Sequence, residues 1–558
     1  MKILKPKLAL YLIAVVMLAM PAGLISAPVK AAPSQPLANW NPCYRKFGYP
    51  FECTTVQVPL DYSNPGQASI SIAMIRLPAS NPAERIGSLF LNPGGPGGSG
   101  FDFALFVSPF LYTEEVRARF DIVGFDPRGV QRSTALRCFG TPRQWEPYFT
   151  PFSFPMTPEE EQIWITADLY LVDACAQRGS RIIDHMSTAD VARDLDLLRQ
   201  AVGDEQLTYA GFSYGSYLGV TYANMFPDKV RALVVDAVLD PIAWATGSTP
   251  AEGATVPFST RLHSDDGAME TLKEFFRLCD AGGSNCAFSG DAEGRYAALA
   301  AQLRAEPILV TTPEGETFPF TYQDLIGNSL GAMYDSFSWP DFANFLAFIE
   351  ASASPTQIGL QLHSFWEALG LITKRGFPHY PNFVEAFPGV ACSDSDNPHD
   401  YAAWSASAEA AEAEFGYFGP IWTWVSSICA QWPGSMESRY AGPFNNSTAN
   451  PVLVVGNFYD PATRYEGAVT VANLLPNSRL LSLNGWGHAS LFLSQCVDQA
   501  VSAYLTTGAV PAEGTVCNQD LVPFIDFPIL QGAGEIAAAR RLLVTPALLP
   551  DVVRKIKK

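Results

Sequence analysis

The sequence predicts an α/β fold: an eight-stranded, mostly parallel sheet with helices on both faces and one large insertion. Short runs rich in β-branched and aliphatic residues recur at 55–60, 70–77, 88–91, 120–125, 207–211, 231–236, 451–456 and 478–483. Helical patterns lie between several of them, and strand alternating with helix builds a parallel sheet covered on both sides. The spacing breaks once, between strands 6 and 7 of this set, and the gap must hold a second unit.

Each part has its own warrant. Ser187 can cap a helix whose Val191, Leu195, Leu198 and Val202 share one face, and Val497, Val501 and Leu505 repeat the pattern after the last strand. The gap opens with a Gly/Ser/Thr/Pro-rich stretch at 243–259 and continues through helical patterns at 269–278 and 295–303. It also carries Phe337, Trp339, Phe342, Phe345, Phe365 and Trp366. We read it as a mainly helical lid over 241–445, with these aromatics as its own core. A chain of 558 residues exceeds one ordinary core. The expected units are therefore a first part of the core at 32–240, the lid, a second part of the core at 446–520 and a tail at 521–558.

Hydrophobic residues make up 48% and charged residues only 16%, which argues against a disordered chain. Lys2, Lys5 and Lys7 precede an apolar run from Leu8 to Met20, and small residues follow up to Ala31, the pattern of a signal peptide over 1–31. No other segment offers about 20 uninterrupted apolar residues, so an exported protein without an integral membrane segment is expected. Cleavage after Ala31 would remove four lysines and no acid, taking the formal charge from −19 to −23, and so acidic a chain argues against nucleic acid as a partner. The basic end, Arg554 to Lys558, reads as a solvated terminal helix.

An even set of cysteines on an exported chain reads as disulfides: Cys43, Cys53, Cys138, Cys175, Cys279, Cys286, Cys392, Cys429, Cys496 and Cys517. Sequence does not fix connectivity. Short separations favour Cys43/Cys53, Cys279/Cys286 and Cys496/Cys517, which leaves Cys138/Cys175 and Cys392/Cys429. No cysteine pair has zinc-finger spacing and no His-Glu-x-x-His occurs, so neither a metal nor another cofactor is expected.

The chemistry-bearing residues fall at strand ends. Gly211-Phe212-Ser213-Tyr214-Gly215 follows a strand and precedes a helical stretch, the setting of a nucleophile elbow. Glycines flank Ser213 because so tight a turn crowds neighbouring backbone. A serine hydroxyl needs a base to take its proton and a carboxylate to orient that base. Asp460 follows the seventh strand and His488 the eighth, and the chain order Ser, Asp, His is the one this kind of elbow uses. Asp240, after the sixth strand, is the alternative carboxylate. Directly after the third strand, Asn92-Pro93-Gly94-Gly95-Pro96-Gly97-Gly98-Ser99-Gly100 can bring bare backbone to an oxyanion, with the N–H groups of Gly95 and Tyr214 as the expected donors. The Lys-Ser/Thr ending of a phosphate-binding loop is absent.

Taken together, these residues resemble the secreted tripeptidyl aminopeptidases and their proline iminopeptidase-like relatives among the α/β-hydrolases. The resemblance runs from Trp40-Asn41-Pro42-Cys43 through Asp126-Pro127-Arg128-Gly129, the elbow and Asp460-Pro461-Ala462-Thr463 to Gly485-Trp486-Gly487-His488 and Cys517. It implies an α/β-hydrolase fold with the family's TAP-like C-terminal module, and a serine aminopeptidase that releases short peptides, tripeptides first, from free N-termini. The chain departs from the pattern at Gln131, where relatives usually have glycine, and at Arg464, where proline is common. Pro93 also replaces the histidine of the His-Gly-Gly-Pro-Gly form. An exopeptidase must hold an ammonium, and Asp394 and Asp396 are the candidates for it. Two other readings compete: an esterase or lipase-like hydrolase using the same triad, and an inactive hydrolase fold that only binds.

Overall fold

The computed structural model describes residues 37–369 and 382–526, so the expected signal peptide and the basic tail lie outside the described residues. Among the described residues twelve strands are present, in chain order: β1 (Asn41–Pro42), β2 (Glu52–Pro59), β3 (Ser69–Leu77), β4 (Gly87–Asn92), β5 (Phe120–Phe125), β6 (Leu207–Phe212), β7 (Val230–Asp236), β8 (Ile308–Thr311), β9 (Thr317–Phe320), β10 (Val452–Tyr459), β11 (Ser478–Trp486) and β12 (Val516–Asn518). Ten of them form one sheet in the order β1-β2-β3-β5-β4-β6-β7-β10-β11-β12. The pairs from β5 through β12 are parallel, and those joining β1, β2, β3 and β5 are antiparallel. All eight expected strands are in this sheet. It has ten strands rather than eight because the short edge strands β1 and β12 extend it.

The central strands are buried on both faces, and alternate residues go to opposite cores. Leu207, Tyr209, Val452 and Val454 pack on the side of the helices Thr188–Ala201 and Tyr214–Met225. Ala210, Phe212, Leu453 and Val455 pack on the side of Gly100–Val107 and Gln495–Thr507. Each large side chain buried this way contributes about 1.5–3 kcal/mol of transfer free energy. Ser187 caps its helix as expected, accepting from the Asp190 N–H.

Between β7 and β10 the chain is mainly helical, with the β8–β9 hairpin as its one sheet among the described residues. Here Trp339, Phe342, Phe345, Phe365 and Trp366 pack into a core of their own, joined by Phe154 from the β5–β6 connection and Trp486 from β11. Phe337 packs instead against the core under the sheet. Five disulfides join Cys43–Cys53, Cys138–Cys175, Cys279–Cys286, Cys392–Cys429 and Cys496–Cys517, the pairing the short separations favour. No helix among the described residues is long and apolar enough to cross a membrane.

One buried ion pair fixes the loop after β5. Arg128, fully buried, donates to both carboxylate oxygens of Asp194 at 2.7 and 2.6 Å and to the carbonyls of Pro59, Leu60 and His185. Truncating one member of such a pair leaves the other charge buried and unmatched, which costs about 3–5 kcal/mol. Arg128→Met should therefore lower the denaturant midpoint by that equivalent, with no loss of disulfides. A change under about 1 kcal/mol would show that this network does not hold the loop.

Candidate active site

The turn between β6 and the helix Tyr214–Met225 holds Ser213 at φ 57° and ψ −129°, a backbone region that L-residues rarely adopt. The Ser213 N–H donates to the Asp236 carbonyl at 3.0 Å, and its own carbonyl accepts from the Ser216 N–H at 2.8 Å and the Ser216 hydroxyl at 2.5 Å. The flanking glycines are demanded by contact. A Cβ on Gly211 would lie 2.2 Å from the Gly215 carbonyl oxygen, and one on Gly215 would lie 2.5 Å from that of Asn92.

The glycine loop after β4 lies directly against this turn. The Asn92 side chain accepts from the Gly94 N–H at 2.9 Å, and Gly94 approaches the elbow so closely that a Cβ there would sit 2.8 Å from both Ser213 Cβ and Tyr214 N. Asp126, at the end of β5, pins the far side of the loop. It accepts from the Ser99 hydroxyl, the Phe101 N–H at 3.3 Å and the Arg132 N–H at 3.0 Å. Burial lifts the Asp126 carboxyl to about 6, against the lowering effect of Ser99 and Arg132. Tyr214 opens its helix, so its N–H has no carbonyl within that helix to bond. Gly95 and Ser213 border one cavity.

Asp460, after β10, is buried and saturated with donors. Its oxygens accept from the N–H groups of Ala462 and Thr463, both at 2.9 Å, from the Thr463 hydroxyl at 3.0 Å and from the Ala489 N–H at 3.3 Å. They also lie 2.9 and 3.0 Å from His488 Nδ1, which makes Nδ1 the protonated nitrogen and Nε2 the proton-accepting one. The histidine loop is held from behind: the His488 N–H donates to the Tyr334 carbonyl at 2.9 Å, and the Tyr334 ring meets the imidazole edge-on at 5.1 Å. Thr463 and Tyr334 both border the Ser213 cavity, so His488 lies directly behind its wall.

Three carboxylates land elsewhere than a reading of the sequence places them. Asp240 caps the helix Pro241–Ala245, accepting from the Ile242 and Ala243 N–H groups at 2.8 and 3.1 Å. Asp394, expected to meet a substrate ammonium, is buried at the end of the helix Phe383–Asp394. It accepts there from the Thr188 N–H at 2.8 Å and hydroxyl at 2.6 Å, and burial raises it to about 7. Asp396 forms a surface ion pair with Arg439 at 2.8 Å. Neither Asp394 nor Asp396 borders the Ser213 cavity. Their Ser-Asp alternation carries no trace of partners this distant in sequence.

The residue that sequence reasoning missed is Asp236. Its carbonyl holds the Ser213 N–H, and its carboxylate accepts from the Ser490 N–H at 3.1 Å and hydroxyl at 2.6 Å. One residue thus ties the elbow to the histidine loop. Burial lifts its carboxyl to about 6, opposed by the Ser490 bonds. Arg464 pairs with Asp266 at 3.2 Å across the helix Ser264–Gly282. In that helix the bare Gly267 lets the backbone approach the Asp460 carbonyl, where a Cβ would stand at 2.5 Å. Gln131 adopts φ 34°, a left-handed backbone that glycine takes up without strain.

Comparison with known proteins matches residues 87–273 to the alpha/beta hydrolase fold family and residues 413–517 to the TAP-like protein family. The second match begins inside the stretch assigned from sequence to the lid. Carboxylesterase B of Mycobacterium tuberculosis is 32% identical over 88% of this chain and 91% of its own length. Tripeptidyl aminopeptidase of Streptomyces coelicolor is 28% identical over 87% of this chain and 86% of its own. Serine protease Hip1 of Mycobacterium tuberculosis is 30% identical over 83% and 87%.

Gly94→Ala should retain the fold and lose about 100-fold in hydrolytic turnover, the scale of an ångström of misplacement at reacting groups. Gly315→Ala is the control. It has a similar positive φ of +89°, with nothing within 4 Å of the added Cβ, and turnover should be unchanged. Equal turnover in both variants would show that the loop does not need its close approach to Ser213.

Proposed function

This chain belongs to the α/β-hydrolase family and carries its TAP-like region, and from that premise we propose that it is a serine aminopeptidase releasing short peptides, tripeptides first, from free N-termini. Ser213 is the nucleophile. His488 Nε2 takes the hydroxyl proton as Oγ attacks the scissile carbonyl, and Asp460 stabilises the resulting imidazolium through Nδ1. The N–H groups of Gly95 and Tyr214 receive the oxyanion of the tetrahedral intermediate. His488 then returns its proton to the departing amine, leaving an acyl-enzyme on Ser213. Water, deprotonated by the same imidazole, attacks that ester and releases the short peptide.

The observation that carries the exopeptidase reading is the enclosure of Ser213. The cavity it shares with Gly95, about 540 Å³ with its mouth, is walled by Trp244, Phe258, Tyr334, Phe387 and Trp422 from the stretch between β7 and β10. Such walls favour a chain end over the middle of a long chain. The tripeptidyl aminopeptidase relative supports the same substrate class. A second reading, an esterase using the same triad, is favoured by the carboxylesterase relative. The five disulfides support action outside the cytosol.

Ser213→Ala and His488→Ala should each lower kcat by at least about 10⁴-fold, and Asp460→Asn by about 10⁴-fold, with folding retained. Near-normal turnover by any of them would remove that residue from the triad. Matched peptides with free and acetylated N-termini, assayed beside simple esters, test the substrate class. Cleavage restricted to the free peptides supports the aminopeptidase. Activity on esters alone replaces it with the esterase.

A further inference from the structure

A second cavity lies beside the one that holds Ser213, and it contains an unusual carboxylate. Counting the open space at its mouth it measures about 750 Å³, and Phe387 and Val425 border both cavities. Its walls are largely aromatic, with Tyr148, Phe149, Trp164 and Phe383 prominent, and Asp168 faces in among them. Asp168 sits on the helix Pro158–Arg178, within the β5–β6 connection.

Several other buried aspartates near the sheet have cations or several N–H donors. Asp194 has Arg128, Asp121 has Arg85 at 2.9 Å, and Asp460 has His488 and three N–H groups. Asp168, only 3% exposed, receives one hydrogen bond, from the Ser427 hydroxyl at 2.5 Å to Oδ2. Ser427 is itself oriented by the Trp164 indole N–H at 2.9 Å. Among the described residues, no Lys, Arg or His borders the cavity. Burial without a cation raises the carboxyl to about 8, with Ser427 opposing. With the cavity empty the group is therefore mostly protonated at neutral pH, and an arriving ammonium draws it into the charged form, gaining an ion pair. Aromatic faces around it add cation–π attraction.

We propose that Asp168 and its aromatic chamber bind the N-terminal ammonium of the peptide substrate. The inference rests on the aminopeptidase reading and makes it specific. The peptide lies with its scissile carbonyl at Ser213 and its amino end reaching past Phe387 and Val425 to Asp168. The span between the two, at about 3.3–3.6 Å per extended residue, sets how many residues are released.

Asp168→Asn keeps the shape and the Ser427 contact but removes the group's ability to ionise against an ammonium. The test measures kcat/KM for one peptide with free and with acetylated N-terminus, in the wild-type protein and in this variant. The free-over-acetylated preference should fall about 100-fold in the variant, chiefly through KM. A preference that survives in Asp168→Asn overturns this inference alone. Wild-type protein that cleaves both peptides equally overturns the aminopeptidase reading, and this inference with it. Should the variant fail to fold, a crystal structure of the wild-type protein with a product tripeptide decides. The terminal nitrogen belongs within hydrogen-bonding distance of Asp168, and finding it anywhere else rejects the proposal.

Discussion

The backbone of Ser213 is the constraint on which the site depends. A non-glycine residue at φ 57° and ψ −129° costs about 1–3 kcal/mol, and it persists only because its surroundings allow no alternative. Asp236 and Ser216 hold its two peptide groups, while Gly94, Gly211 and Gly215 let three stretches of backbone crowd against it. The return on that strain is geometric. It lifts the side chain off the C-terminal edge of the sheet and leaves the Tyr214 N–H unbonded within its helix, beside the glycine loop.

Three carboxylates at strand ends then organise everything around the turn. Asp126 after β5 ties down the glycine loop, Asp236 at the end of β7 joins the elbow to the histidine loop, and Asp460 after β10 holds His488 and Thr463. Each sits where a parallel strand stops and its loop must turn, so a single short side chain can collect several loop N–H groups. The fold thus supplies rigidity from the sheet, and the connections supply enclosure. Both the β5–β6 connection and the stretch between β7 and β10 contribute walls to the cavities above Ser213.

Much of this could be read from the chain, for identifiable reasons. The eight main strands are runs rich in β-branched, aliphatic and aromatic residues bounded by turn residues, and in the central strands burial on both faces makes such runs nearly continuous. The two edge strands, two and three residues long, are too short to carry a period. The β8–β9 hairpin, four residues a side, was hidden in a region whose pattern is otherwise helical. Ser213, Asp460 and His488 stood out because each needs a local turn chemistry that leaves a motif. Asp236 and Asp168 left none: one closes an apolar strand and the other lies on a helix among Leu169, Tyr170 and Leu171, and each acquires meaning only from residues far along the chain. Asp394 shows the converse, since an exposed-looking Ser-Asp pattern proved to be buried against Thr188.

The most direct test of the account is to find which atom becomes acylated or phosphonylated. Wild-type protein treated with a fluorophosphonate, digested and mapped by mass spectrometry should carry one adduct per chain, on Ser213. An adduct on another serine, or no adduct in folded protein that still turns over substrate, would contradict the assignment of Ser213 as nucleophile and the mechanism built upon it.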